Sequence, residues 1–151
     1  MKSAPASIPP IPHILLIDDN SDGLLVRRTL LEEAGCKVTL AHSGEEGLQL
    51  FGGAKFELTV TDFRMPGGMD GLEVIRRIRL SDPEARVILL SGFVEPLGLT
   101  EENTGADVVI AKSANEPAHL SRAVKRLLNR AIRKPPSSQK RTPSGVSASS
   151  R

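Results

Sequence analysis

His13-Ile14-Leu15-Leu16-Ile17-Asp18-Asp19 is a short run, apolar almost throughout, that stops on two acids. A run with no polar alternation is what a strand covered on both faces looks like, and such strands belong to parallel sheets. Downstream, a helix is predicted from about Ser21, with Val26, Leu30 and Ala34 as its inward stripe and Gly35 as its C-cap. Lys37 to Ala41 forms the next strand, with Cys36 a small apolar residue at its start. Ser43 and Glu46 make a capping box that opens a short helix through Leu48 and Phe51. Leu58-Thr59-Val60-Thr61 is the third strand, ending at Asp62, and Asp70 with Glu73 caps a helix carrying Val74, Ile75 and Ile78 on one side.

The alternation continues to the end of the body. Arg86 to Leu90 is a fourth strand ending at Ser91, and a weak helical stretch broken by Pro96 and Gly98 reaches about Asn103. Asp107 to Ala111 is a fifth strand ending at Lys112. A last helix from about Glu116 to Arg133 faces Leu120, Val124, Leu127, Leu128 and Ala131 inward. Five strand–helix units with short connections predict an α/β fold, a doubly wound five-stranded parallel sheet with helices on both faces. With strand order 2-1-3-4-5, the first and third strands flank the topological switch point, where such sheets bind ligands.

Composition bounds the rest. The first twelve residues hold four prolines, and the last eighteen, from Lys134, are mostly Pro, Ser, Lys and Arg, so residues 1–12 and 134–151 read as disordered flanks around a 13–133 domain. That body holds all 18 acids but 15 of the 20 Lys and Arg, so it carries −3, which argues against a domain shaped around DNA. One cysteine makes no internal disulfide, no segment suits a bilayer, and the N-terminus lacks a secretory core; a cytoplasmic location is expected. His13, His42 and His119 share no metal-like spacing. Arg76, Arg77 and Arg79, like Arg122, Lys125, Arg126, Arg130 and Arg133, read as solvated faces of amphipathic helices.

The chemistry lies in which residues end the strands. Asp18 and Asp19, Asp62, Ser91 and Lys112 all fall on one sheet edge. Three close carboxylates repel one another and call for a cation. A few oxygen ligands suit Mg²⁺, which keeps several waters and takes a phosphoryl oxygen readily. Lys112 adds a compact positive charge and Ser91 a hydroxyl, completing what carboxylate phosphorylation requires.

Ile17-Asp18-Asp19, Thr61-Asp62-Phe63-Arg64-Met65-Pro66, Met69-Asp70-Gly71, Leu90-Ser91-Gly92 and Lys112 together resemble the response-regulator receiver signature, over roughly residues 13–133. The resemblance implies a flavodoxin-like receiver fold in which Asp62 accepts phosphate from a histidine kinase or phosphotransfer protein. It implies Mg²⁺ held by Asp19, Asp62 and the Arg64 backbone carbonyl, with Asp18 contributing through water, and Ser91 as the switch residue. Such a domain is a phosphoacceptor rather than an enzyme with turnover. Output is then expected by partner binding through the fourth helix, last strand and last helix, or by phosphorelay, because the tail is too short to fold. The chain departs from the family pattern at Gly67-Gly68, one glycine more than the common spacing. It departs again at Ser113, where Pro usually follows the lysine, and at Val109, the usual aromatic switch position. Two other readings stand beside this one. A haloacid-dehalogenase-type phosphatase fits less well, because Asp18 and Asp19 are adjacent and no cap domain is present. A phosphorylation-independent interaction module would associate with nucleic acid through the basic tail.

Overall fold

The structure, a computed structural model, describes residues 10–133 apart from residue 93. The expected Pro-rich flank up to residue 9, the basic tail from Lys134, and the inward side chain of Ala131 lie outside the described residues. Strands β1 (His13–Ile17), β2 (Lys37–Ala41), β3 (Leu58–Asp62), β4 (Val87–Ser91) and β5 (Val108–Ala111) form one five-stranded sheet. Its order is β2-β1-β3-β4-β5 and every pairing is parallel. Helices α1 (Ser21–Glu33), α2 (Gly44–Gly53), α3 (Gly71–Ser81), α4 (Val94–Leu97), α5 (Glu101–Thr104) and α6 (Glu116–Arg133) complete it. The sequence-based fold class and strand order are both borne out.

Two separate cores explain why β1 shows no polar alternation. Ile14 and Leu16 point to one face, packing with Leu24 and Leu31 of α1 and Leu120, Val124 and Leu127 of α6. Leu15 and Ile17 point to the other, with Val74, Ile75 and Ile78 of α3. Each fully buried leucine or isoleucine contributes about 1.5–3 kcal/mol, so both faces must be apolar. Two of the inward residues expected on α1 are corrected: Val26 is 66% exposed and Ala34 is exposed, while Leu24, Arg27 and Leu31 are buried. The helix is apolar on several sides, so periodicity alone did not fix its rotation. Arg79 is a second correction. Instead of a solvated face it holds the Gly105 carbonyl at 3.0 Å and the Asp107 carboxylate at 3.0 Å.

The helix ends follow local chemistry. Ser43 and Asp70 accept the backbone N–H of Glu46 and Glu73, each at 3.0 Å, as N-caps do. The reciprocal halves of both expected boxes are missing, because Glu46 takes the His42 N–H and Glu73 turns to Arg76 and Arg77. Those two guanidinium groups hold the Glu73 carboxyl down to about 2. The weak helical stretch resolves into two short helices: Gly98 (φ +62°) ends the first, and a Thr100–Asn103 capping box starts the second.

Candidate functional site

Parallel pairing of β1 with β3 places Ile17 beside Thr61, so the residues that follow, Asp18 and Asp62, emerge side by side at the C-terminal sheet edge. Asp18, Asp19 and Asp62 each offer a carboxylate oxygen, and these three atoms lie within 4.8 Å of one another. Asp18 and Asp62 are buried, at 2% and 5% exposure, while Asp19 is exposed. Register carries the other two predicted residues to the same edge. Asp62 pairs with Leu90 and Ser91 with Ala111, and the Lys112 N–H donates to the Ser91 carbonyl at 2.9 Å. The Lys112 ammonium forms an ion pair with Asp62 Oδ1, and Ser91 is buried beside them. Arg64 is exposed on the loop just beyond Asp62.

Burial raises the Asp62 carboxyl above the usual carboxylate range, and the charge of Asp18 adds to the rise; Lys112 and Arg27 work against it. The pocket therefore disfavours its own fully ionised state. Hard oxygen donors, converging and under-neutralised, fit a small divalent cation.

Two residues with no part in the sequence-based site complete the wall. Arg27, on α1, donates from Nη1 to Asp18 Oδ2 at 2.7 Å and from Nε to Glu116 Oε2 at 2.7 Å. Glu116 opens α6, 89 residues away, and no local pattern pairs the two. Glu45 is a further addition: its carboxylate accepts the Met69 N–H at 3.1 Å and tethers the loop containing Gly67 and Gly68.

Gly71 sets the loop's return. Its N–H donates to the Phe63 carbonyl at 2.8 Å, and a Cβ there would lie 2.3 Å from the Asp62 carbonyl oxygen and 3.0 Å from Phe63 Cα. Backbone on both sides cannot yield cheaply. Gly71→Ala is expected to cost about 3 kcal/mol in urea unfolding and to displace the end of β3.

The chain matches the family model for the response regulator receiver domain over residues 14–135. It belongs to the response-regulator receiver family. Members are phosphoacceptor signalling domains rather than classical enzymes. Among curated relatives, this receiver is 31% identical over 115 residues to the uncharacterized transcriptional regulatory protein YkoG of Bacillus subtilis, covering 76% of this chain and 49% of that one. It is 34% identical over 124 residues to the transcriptional regulatory protein AfsQ1 of Streptomyces coelicolor, covering 82% and 50%. The chain thus spans about half the length of these relatives. Among solved structures, a CheY-like receiver domain of Methanospirillum hungatei superposes with a TM-score of 0.75 at 27% identity, covering 83% of this chain and all of that one. The response regulator TrrA of Thermotoga maritima, solved in complex with Mg²⁺–BeF, gives a TM-score of 0.70 at 32% identity, covering 78% and 99%. TrrA has also been solved in complex with the histidine kinase ThkA. Among the described residues of this receiver, no helix is long and apolar enough to cross a membrane.

Proposed function

We propose that this receiver takes a phosphoryl group on Asp62 from a histidine kinase or phosphotransfer protein, with Mg²⁺ bound at the sheet edge, and acts in the cytoplasm through a protein partner. The observation that carries the reading is one pocket holding three converging carboxylates and a lysine paired to Asp62. The complex of TrrA with its kinase and its Mg²⁺–BeF form support it from a relative.

Each residue has a separable task. Asp62 supplies the attacking carboxylate oxygen. Asp19, Asp62 and the Arg64 carbonyl would hold the metal, with Asp18 hydrogen-bonding its water. Bound there, Mg²⁺ would supply positive charge to the phosphoryl oxygens as they approach Asp62. Lys112 stabilises a further phosphoryl oxygen, and the Ser91 hydroxyl donates to another. Low exposure at Asp62 and Ser91 limits competing water.

Output is assigned to the face made by α4, β5 and α6 of the 13–133 domain. A groove of about 720 Å³ lies there, floored by Val94, Val109 and Ala123 and rimmed by His119, Arg122 and Arg126. An apolar floor with a basic rim suits an acidic amphipathic segment of a partner.

Intact-mass measurement after incubation with acetyl phosphate tests the core claim. One added phosphoryl group is expected with Mg²⁺ and none when the metal is chelated. Folded protein that stays unmodified with metal, and does not bind beryllofluoride, would leave a phosphorylation-independent interaction module.

A further inference from the structure

Arg27 is an arginine in the wall of a cation site, and the fold is built around it. Its side chain is 11% exposed, between an Asp18 side chain at 3% and a Glu116 side chain at 12%. The guanidinium spends one edge on Glu116, with Nε at 2.7 Å from Oε2 and Nη2 at 3.1 Å from Oε1. Nη1 is left for Asp18 Oδ2, at 2.7 Å. Space for that group is provided one turn earlier: a Cβ on Gly23 would lie 2.9 Å from Arg27 Nη1 and 3.1 Å from Asp18 Oδ2.

The consequence for Asp18 is geometric. Oδ1 already accepts the Asn20 N–H at 3.0 Å, and Oδ2 accepts Arg27. Both oxygens are therefore engaged before any metal arrives. Lysine at position 27 would bring a point charge, but only the planar fork holds two carboxylates at once in fixed directions. Charge acts in the same sense as geometry. A guanidinium does not deprotonate in proteins, and that of Arg27 lies within ion-pair distance of both Glu116 and Asp18. It stands permanently charged beside the site a divalent cation must enter.

We propose that Arg27 is a positioning residue that withholds Asp18 from the divalent cation and so weakens Mg²⁺ binding, with Glu116 holding Arg27 in place and drawing off part of its charge. The inference rests on the metal reading of Asp18, Asp19 and Asp62. A resident guanidinium takes the place of part of the metal's charge in the resting state. The receiver therefore tolerates its acidic pocket without metal, and loads Mg²⁺ only at higher concentration. Because Glu116 opens α6, the same contact ties the metal-site carboxylate to the helix that borders the output groove.

The test is Mg²⁺ titration by isothermal calorimetry of the full chain, with melting of each metal-free variant as a fold check. Arg27→Met alone strands two buried carboxylates and endangers the fold, so the deciding variant is Arg27→Met/Glu116→Gln. That pair leaves the net charge unchanged, and any gain comes from freeing Asp18 rather than from adding negative charge. The double variant is expected to bind Mg²⁺ about tenfold more tightly than the natural chain. Glu116→Gln alone leaves the guanidinium charge bearing wholly on Asp18, and is expected to weaken binding about threefold. A double variant that binds within about twofold of the natural chain, or more weakly, overturns the proposal, as does tighter binding by Glu116→Gln. A natural chain that shows no saturable Mg²⁺ heat in its folded state removes the metal reading itself, which the first two outcomes leave standing.

Discussion

Asp62→Asn is expected to abolish phosphoryl uptake and, in the same sample, to raise the melting temperature of the metal-free protein by about 2–6 °C. Loss of uptake follows because asparagine has no carboxylate oxygen to attack with, and Asp18 is engaged by Arg27 and Asn20. The stability gain follows from the position of the charge. Asp62 is 5% exposed, and burial, followed by the charge of Asp18, raises its carboxyl above the usual range, with Lys112 and Arg27 only partly offsetting them. A carboxyl whose folded pKa exceeds its unfolded value, about 3.9, binds more protons in the native state within the window between the two. Stability therefore falls as pH rises through that window and stays lower above it. Asparagine keeps the shape without the titration. The difference in melting temperature should be fully developed at neutral pH and should vanish below the unfolded carboxyl value. Saturating Mg²⁺ should narrow the difference by stabilising the natural chain more than the variant. A structural aspartate would behave in the opposite way, because its removal would lower the melting temperature at neutral pH.

That prediction depends on residues visible in the sequence, and Asp62 was visible for a physical reason. The buried body of a parallel strand carries no charge until it leaves the sheet, so the first charged residue after each run marks the edge. His13–Ile17 and Leu58–Thr61 end this way, and their pairing in register brings Asp18 and Asp62 together. Ser43 and Asp70 were legible as caps because an N-cap acts on the residue three positions on. Arg27 was not legible. Leu24, Leu25, Val26, Leu30 and Leu31 crowd α1 with apolar residues, and a stripe through Val26 is as regular as the buried stripe through Leu24 and Leu31. What selects the second stripe is the pairing of Arg27 with Glu116, a contact between the first and the last thirds of the chain. The same limit applies to Arg79, whose carbonyl and carboxylate partners come from Gly105 and Asp107. Local patterns report caps and strand faces; charges buried by distant partners leave no periodic trace.

Lys112→Met separates positioning from binding at the same edge. Lys112 follows β5, whose Ala111 lies beside Ser91, and its ammonium pairs with Asp62 although the side chain is 34% exposed. Asp62 is buried, so removing the ammonium leaves its carboxylate less compensated, and Lys112→Met is expected to lower the stability of the metal-free protein by about 1–3 kcal/mol at neutral pH. Its effect on reaction is separate. As a phosphoryl group moves toward Asp62, negative charge concentrates on its oxygens within a pocket that already holds three carboxylates. A preorganised cation there costs no rearrangement when the charge develops, and removal of one such donor slows comparable reactions by about 10²–10³-fold. Lys112→Met is expected to reduce the rate of phosphorylation by acetyl phosphate by that factor at saturating Mg²⁺, read as the time course of the mass shift. Mg²⁺ affinity should hold or rise, since a competing cation has left the site. If rate and affinity fall together, Lys112 organises the carboxylates rather than the transferring group. The combination of a slow rate with intact metal binding would place the charge of Lys112, at the end of β5, on the phosphoryl oxygens.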